Sequence, residues 1–307
     1  MTMRKEFYSN GKLLITGEYL VLDGAKAFAL PTKFGQNLVI EQNNSQDINW
    51  KSFDSDGSLW FETTFSFSEI AVNDLQEKET SIRNTLLVIL QEAFKLNPDF
   101  INTESGYSIT TTLTFPRNWG LGTSSTLINN VAQWVNIDAF ILLKNSFGGS
   151  GYDIACAQND FPILYTLEGE KPLVEKVDFE PHFSRNLYFV YLEKKQSSKA
   201  SILSYYNNKS TVLEKSIAKN NALTQAVLGA KNLDKFALAI EEHEAEMSII
   251  LEMHTIKESH FSDFNGVIKS LGAWGGDFVL VVSAENPTNY FTQKGFKTVI
   301  PYEKIIL

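Results

Sequence analysis

The chain has 307 residues, a formal net charge of −9 at pH 7 and one cysteine, Cys156. This length allows two domains, each with its own core, and the 43% hydrophobic and 21% charged content is ordinary for a globular protein. The acidic balance without a dense Lys/Arg run argues against nucleic-acid binding, and one cysteine excludes an internal disulfide framework. No apolar run approaches the length of a membrane span, so we expect a cytoplasmic protein with no membrane contact.

The N-terminal half is predicted to be rich in strands. Segments dense in β-branched and aromatic residues, separated by turns, are "KLLITGEYLVLDG" (12–24), "NLVIEQ" (37–42), "INWKSF" (48–53) and "SLWFETTFSF" (58–67). Apolar residues at helical spacing predict a helix over 80–97, with Thr80 or Ser81 as its N-cap. "GYSITTTLTF" (106–115) alternates like a strand and leads into a glycine-rich loop.

The C-terminal half predicts strands at 161–167, 186–193 and 278–283, and helices from Lys215 onward. A loop-like stretch near residue 180 suggests domains 1–180 and 181–307. Eight of the 18 glycines lie in three clusters, within 116–125, 145–153 and 270–277, each beside a predicted element end. This clustering favours loops that converge on one polyanionic ligand over three unrelated turns.

The first cluster, "PRNWGLGTSSTLINNV" (116–131), predicts a phosphate site at a helix start. Gly120 and Gly122 remove side chains from the turn, and Thr123, Ser124 and Ser125 offer N-cap chemistry. The first N–H groups of a helix lack partners and carry partial positive charge, which suits an anion. The alternative is an ordinary glycine turn followed by an N-cap.

Three motifs in this order resemble the superfamily of galactokinase, homoserine kinase, mevalonate kinase and phosphomevalonate kinase, the GHMP kinases. They are "GKLLITGEYLVLDGAKAFALP" (11–31), "PRNWGLGTSS" (116–125) and "LGAWGGDFVLVVS" (271–283). The resemblance implies an α+β, two-domain fold, with an N-terminal domain like ribosomal protein S5 domain 2 and a ferredoxin-like C-terminal domain. It also implies that ATP and Mg²⁺ bind, with the ligand between the domains.

The resemblance assigns roles to residues in these motifs. Asp153, in "GGSGYDIACA" (148–157), matches the general base for the acceptor hydroxyl, and Lys12 matches the lysine that pairs with it and with phosphate. The nucleotide loop comprises Pro116, Gly120, Leu121, Gly122, Thr123, Ser124 and Ser125, of which Ser124 also matches a metal ligand. The alternatives are a helix-capping Asp153, a surface Lys12 and a plain N-cap at Ser124.

Other positions are assigned to the acceptor. They are Glu18, Gly151, Lys195, Ser197, Ser198, Gly272, Gly275 and Gly276. The segment "YLEKKQSSKAS" (191–201), which also contains Lys199, resembles a substrate loop, although Gln196 stands where many relatives have arginine. A solvated turn is the alternative for this segment.

One position departs from the mevalonate kinase pattern. Between Ser124 and Asp153 the sequence has no glutamate, and Asp138 is the only acidic residue. The resemblance therefore implies that Mg²⁺ is held either by Asp138 or by Ser124, phosphates and water. His243 falls within a helical apolar stripe and is interpreted as a core or groove histidine rather than a catalytic one.

The function predicted from this resemblance is transfer of the ATP γ-phosphate to mevalonate 5-phosphate, or to mevalonate as the next choice, in isoprenoid precursor synthesis. Diphosphomevalonate decarboxylases share the fold, but they usually have Gly-Leu-Ala-Ser-Ser in the loop, and Gly122 argues against them. A homoserine or sugar kinase and a non-catalytic ligand-binding relative stay open, as does a homodimer.

Overall fold

The structure is a computed structural model that describes residues 4–72, 81–101, 105–193, 205, 213–272, 274 and 276–307. The chain forms two units. Unit 1 comprises Met1–Gly11, Phe34–Arg117 and Leu121–Gln158, and unit 2 comprises Lys12–Lys33, Asn118–Gly120 and Asn159–Leu307. Residue 180 lies within unit 2, and the division into domains 1–180 and 181–307 stays a prediction.

Unit 1 is built on a sheet with helices packed against it. Two strands contribute residues to both units: β1 (Arg4–Thr16) and β2 (Ala27–Asn43). The other elements of unit 1 are β3 (Asp47–Phe53), β4 (Leu59–Ser66), α1 (Phe67–Ala71), α2 (Ile82–Leu96), a 3₁₀ helix (Pro98–Phe100), β5 (Gly106–Leu113), α3 (Thr123–Val135), α4 (Ala139–Ser146) and α5 (Tyr152–Ala157). The strand order is β4-β3-β5-β2, with β3 and β5 parallel and the other pairs antiparallel.

The core of unit 1 lies between this sheet and α2, α3 and α4. Trp50 on β3 and Ile109 on β5 pack in one cluster with Leu90 on α2 and Ile128 on α3. Trp50 and Ile109 are each 1% exposed, because alternate residues of both strands point to the helices. This packing fixes α3 against the sheet.

Unit 2 contains a second, antiparallel sheet. Its elements are 3₁₀ helices (Leu20–Asp23 and Ser184–Asn186), β6 (Ile163–Glu168), β7 (Lys171–Lys176), β8 (Leu187–Tyr191), α6 (Leu213–Leu228), α7 (Leu233–Leu251), α8 (Ile256–His260), β9 (Val267–Ser270), β10 (Phe278–Val282), α9 (Thr288–Gln293), β11 (Val299–Pro301) and α10 (Tyr302–Ile305). The order is β11-β8-β10-β9, while β6 pairs with β7 and with the first residues of β2. Every residue of β8 and β10 is buried, so both faces of this sheet are covered. None of the described helices is long and apolar enough to cross a membrane.

Local sequence signals predicted some element ends and missed others. α2 begins after Ser81, whose Oγ accepts the Asn84 N–H at 3.1 Å, which confirms the predicted N-cap. The strand predicted over 12–24 is wrong beyond Thr16, because Gly17 (φ 93°) and Tyr19 (φ 58°) adopt left-handed backbone that no strand accommodates.

Candidate functional site

The loop before α3 ends in a glycine cap. The N-cap is Gly122, at φ 97° and ψ 37°, and no side chain caps the helix. The expectation that a hydroxyl of Thr123, Ser124 or Ser125 caps α3 is therefore wrong, because all three residues lie inside the first turn. Their backbone N–H groups are left without a capping side chain, and this end of the helix dipole is positive.

Gly120 lies where a side chain does not fit. Its φ is 68°, and a Cβ added there would lie 2.2 Å from Asp277 Oδ2. Lys12 Nζ, from β1, donates a hydrogen bond to Gly120 O at 2.9 Å. A lysine and a carboxylate therefore both approach the backbone of this loop within unit 2.

A small pocket in unit 2 has Lys12, Gly120, Gly272, Asp277 and Phe278 in its lining. It therefore joins residues from the predicted N-terminal, loop and C-terminal glycine motifs.

Trp119, next to Gly120, packs on one wall of this pocket. Its ring centroid lies 5.4 Å from that of Phe278 and 6.2 Å from that of Tyr191. The Tyr191 hydroxyl donates to Asn118 O at 3.0 Å, which ties the loop to β8. Burial raises the pKa of Tyr191, and the negative charges of Asp277 and Glu193 raise it further, so this hydroxyl remains a donor.

Asp153 lies on the first turn of α5, which begins after Gly151 at φ 91°. Ser125 Oγ, on the first turn of α3, donates a hydrogen bond to Asp153 Oδ2. Asp153 Oδ1 accepts the Ile154 N–H at 3.1 Å. The N-cap of α5 is Gly151, so Asp153 does not have the capping role that was the alternative reading. A half-buried carboxylate oriented by a hydroxyl can accept a proton from a third group.

The two candidate magnesium ligands differ in what they contact. Ser124 is half-buried at the second position of α3. Asp138 is the exposed N-cap of α4, and its Oδ1 accepts the N–H groups of Phe140 and Ile141 at 2.7 and 3.2 Å. Within the described part of the chain, no group of three or more His, Cys, Asp and Glu residues could hold a metal ion. Asp138 caps α4, and the assignment of Mg²⁺ to Asp138 or to Ser124 stays a prediction.

Glu18 belongs to a buried charge cluster, formed with Lys269 and Glu244. Lys269, on β9 and 0% exposed, donates to Glu18 Oε1 and, at 2.8 Å, to Ser270 O. Its Nζ lies 3.8 Å from Glu244 Oε2, on α7. Glu244 in turn accepts the Ser270 N–H at 3.1 Å and the Ser270 hydroxyl at 3.0 Å. One ammonium and two carboxyl groups therefore share the same interior region of unit 2.

Burial is the largest influence on the pKa values of Glu18, Glu244 and His243. It raises the pKa of Glu18 and raises that of Glu244 to about 7, while the charge of Lys269 opposes both shifts. Burial, followed by the charge of Lys269, holds the pKa of His243 well below 6.5. A cluster with one protonated carboxyl group is electrically neutral, which explains why the interior accommodates it.

His243 is a buried residue of α7, 1% exposed. The Gly17 N–H approaches its Nε2 at 3.3 Å, and Asn220 Oδ1 lies 3.0 Å from the same nitrogen. Its contacts thus hold the turn that follows β1, as expected for a structural histidine.

The remaining predicted site residues are dispersed. Pro116 is half-buried and Leu121, Gly151 and Gly276 are buried. Lys195, Ser197, Ser198 and Gly275, together with Lys199, lie outside the described residues. The structure thus gathers Lys12, Gly120 and Gly272 in unit 2, and Ser125 and Asp153 in unit 1.

Sequence reasoning missed Lys269 and Glu244. The available signal was a lysine within the short apolar run "GVIKSL" (266–271), a place where charged side chains are rare. Glu244 gave no comparable signal, because it directly follows His243 in a helix with many acidic residues.

Solved structures reveal which fold the chain has. It is similar to the Methanococcus jannaschii mevalonate kinase at 15% identity and a TM-score of 0.68, covering 97% of this chain and 96% of that chain. It is similar to a Streptococcus pneumoniae phosphomevalonate kinase in complex with phosphomevalonate and AMPPNP at 16% identity and 0.65, covering 99% and 98%. A Lactococcus lactis galactokinase complexed with galactose matches at 13% and 0.67, covering 94% and 88%.

These similarities extend over nearly the whole chain, so the α+β GHMP kinase fold is confirmed. No protein-family model matches the chain, and no curated protein matches it in sequence.

We predict that Gly120→Ala destabilises the protein more than Gly272→Ala. The two glycines have nearly equal φ, 68° and 66°, but no described atom lies within 4 Å of a Cβ at Gly272. Left-handed backbone alone costs about 1 kcal/mol, and the collision with Asp277 adds roughly 1–3 kcal/mol. Urea unfolding of both variants measures the difference, and equal losses would contradict the steric role of Asp277.

We predict that Glu244→Gln flattens the pH dependence of stability. The folded-state pKa of about 7 lies above the ordinary 4.5, so the folded chain binds this proton more tightly than the unfolded chain. The stabilisation is present below pH 4.5 and is lost as pH rises to 7, by about 3 kcal/mol at most.

The free energy of unfolding at pH 5 and pH 8 measures this effect. The wild type is expected to lose stability relative to Glu244→Gln over that interval. Glu242→Gln, on the exposed face of α7, is the control and should keep the wild-type dependence. A constant difference between wild type and Glu244→Gln would show that Glu244 does not titrate in this range.

Proposed function

We propose that the chain is an ATP- and Mg²⁺-dependent kinase of the GHMP superfamily, which transfers the γ-phosphate of ATP to an oxygen atom of a small molecule. The observation that carries the proposal is the hydrogen bond from Ser125 to Asp153. It joins two glycine motifs that are 28 residues apart in sequence, at the first turns of α3 and α5. The confirmed fold and the order of the three motifs support the same function.

The nucleotide end of the proposed site is the first turn of α3. Backbone N–H groups without a capping side chain, at the positive end of a 13-residue helix, suit phosphate oxygens. Gly122 keeps a side chain away from this turn. In unit 2, Lys12 lies 2.9 Å from Gly120 O and brings positive charge to the backbone there. Bound Mg²⁺ would be held by Ser124 Oγ, phosphate oxygens and water, and would neutralise part of the phosphate charge.

The acceptor end of the proposed site is the Asp153 carboxylate. An oxygen atom of the acceptor, from the phosphate group of mevalonate 5-phosphate or a hydroxyl group of mevalonate, forms a bond to the γ-phosphorus, and the bond from that phosphorus to the β–γ bridging oxygen breaks. A proton carried by the attacking oxygen passes to Asp153. Ser125 holds the carboxylate in one orientation, so that the proton is transferred along a fixed direction. ADP and the phosphorylated acceptor are the products.

For the acceptor we rank mevalonate 5-phosphate first and mevalonate second. The ranking rests on "GEYLVLDG" (17–24), "GSGYDIACA" (149–157) and the Asp277 ending of "GGD", which resemble the phosphomevalonate branch. Solved kinases of both names share the fold of this chain. The proposed acceptor residues Lys195, Ser197 and Ser198 rest on the sequence alone.

Release of ADP over a panel of mevalonate 5-phosphate, mevalonate, homoserine and galactose tests the function. Rapid turnover with the first and little with the others is expected. Turnover of mevalonate alone would reverse the ranking, and turnover of homoserine or galactose alone would remove the isoprenoid assignment.

Asp153→Asn is predicted to bind ATP normally and to lower kcat by about 10²-fold or more with the preferred acceptor. Turnover within threefold of wild type would contradict the role of Asp153.

The neighbouring hydroxyls of α3 are predicted to have separable roles. Ser124→Ala removes the proposed metal ligand and should raise the Mg²⁺ concentration needed for half-maximal rate. Ser125→Ala removes the Asp153 partner and should lower kcat at saturating Mg²⁺ instead, since the carboxylate loses its orientation. Titrations of both variants with Mg²⁺ distinguish the roles, and identical Mg²⁺ dependence in the two would contradict the assignment.

A further inference from the structure

α3 and α5 are joined by a second set of hydrogen bonds, one turn below the contact between Ser125 and Asp153. Asn129, on α3, accepts a hydrogen bond from Gln158 Nε2 at 3.0 Å through its Oδ1. Its Nδ2 approaches the carbonyl oxygen of Ala157, the last residue of α5, at 3.5 Å. Asn129 therefore contacts the end of the short helix that carries Asp153.

The spacing of the two contacts is the same on both helices. Asn129 follows Ser125 by four residues on α3, and Ala157 follows Asp153 by four residues on α5. Residues four apart lie on one helix face, about 6 Å apart along the axis. The two helices thus run in the same direction, with matched contacts at two successive turns.

The Asn129 side chain is held on its other side as well. Its Nδ2 donates to Ser9 Oγ, on β1, at 2.8 Å, and the residue is 1% exposed. A planar amide with partners at both ends has one permitted orientation, so α5 cannot rotate or slide along α3 without breaking the hydrogen bond between Gln158 and Asn129.

We propose that Asn129 is a positioning residue for the proposed phosphoryl transfer. It holds the C-terminal end of α5 in the register that directs the Asp153 carboxylate toward Ser125 Oγ. This inference rests on the proposed function. A displacement of about 1 Å in a catalytic group is enough to lower a rate by about 100-fold, so a side chain without substrate contact can control kcat.

Asn130 is a matched control on the same helix. It is 0% exposed, and its Nδ2 donates to Gln36 O, on β2, at 2.9 Å. Its Oδ1 accepts the Ser9 hydroxyl at 2.7 Å. These contacts join α3 to the strands, and none of those described joins it to α5. Truncation of either asparagine removes hydrogen bonds of similar number, but only truncation of Asn129 removes contacts with α5.

The test compares Asn129→Ala and Asn130→Ala at a temperature where both are folded by circular dichroism. We expect Asn129→Ala to lower kcat by roughly 10- to 100-fold, with the KM for ATP within about twofold of wild type. Asn130→Ala should lose similar stability but keep kcat within about threefold. Equal kcat values in the two variants would overturn the positioning role, because a general loss of packing would affect both.

Gln158→Ala removes the same contact from the exposed side and therefore keeps the core intact. It should lower kcat in the same direction as Asn129→Ala, and the double variant should lose no more than about twofold beyond Asn129→Ala, since the two share one contact. Additive effects would overturn the proposal.

Asp153→Asn separates this inference from the function on which it rests. A large loss in Asp153→Asn together with full activity in Asn129→Ala overturns the positioning role and leaves the kinase function in place. Full activity in Asp153→Asn overturns both.

Discussion

The hydrogen bond from Ser125 to Asp153 requires two helices to begin side by side, and much of unit 1 serves that requirement. Each helix starts at a glycine in left-handed backbone, Gly122 at φ 97° and Gly151 at φ 91°. A residue with a Cβ is strained in that conformation, whereas glycine adopts it readily and lets the chain turn sharply into the first helical residue. The resulting first turns carry N–H groups without capping side chains and bring the Ser125 hydroxyl to the Asp153 carboxylate.

In unit 2, a buried cluster of charged side chains holds the turn that follows β1. Lys269 is 0% exposed and joins Glu18, after β1, to Glu244 on α7. Removing an ammonium and two carboxyl groups from water is costly, and paired buried charges rarely stabilise a protein more than apolar residues of the same size. Such a cluster provides a defined geometry, because a partner that moves away loses the nearby opposite charge that stabilises it. Here that geometry fixes the turn after the strand that carries Lys12.

The sequence predicted the features that depend on nearby residues. Local chemistry predicted the helix start at Ser81 and the turn with Gly120 and Gly122. The order of the three motifs carried the resemblance that implied the GHMP kinase fold. The same reasoning could not identify which hydroxyl faces Asp153. Successive helical side chains point about 100° apart, so a shift of the helix start by one residue changes which of Thr123, Ser124 and Ser125 points toward Asp153. Lys269 and Glu244 lie close together because α7 packs against β9, and no local sequence pattern specifies that packing.

The proposed function requires a nucleotide phosphate to bind at the start of α3 while the Ser125–Asp153 contact is intact. A crystal structure of the protein with AMPPNP and Mg²⁺ measures both at once. We predict phosphate oxygens within about 2.7–3.2 Å of the backbone nitrogens of Ser124 and Ser125, with Ser125 Oγ still bonded to Asp153. A nucleotide whose phosphates lie away from the first turn of α3, or an Asp153 carboxylate turned away from Ser125, would contradict the account.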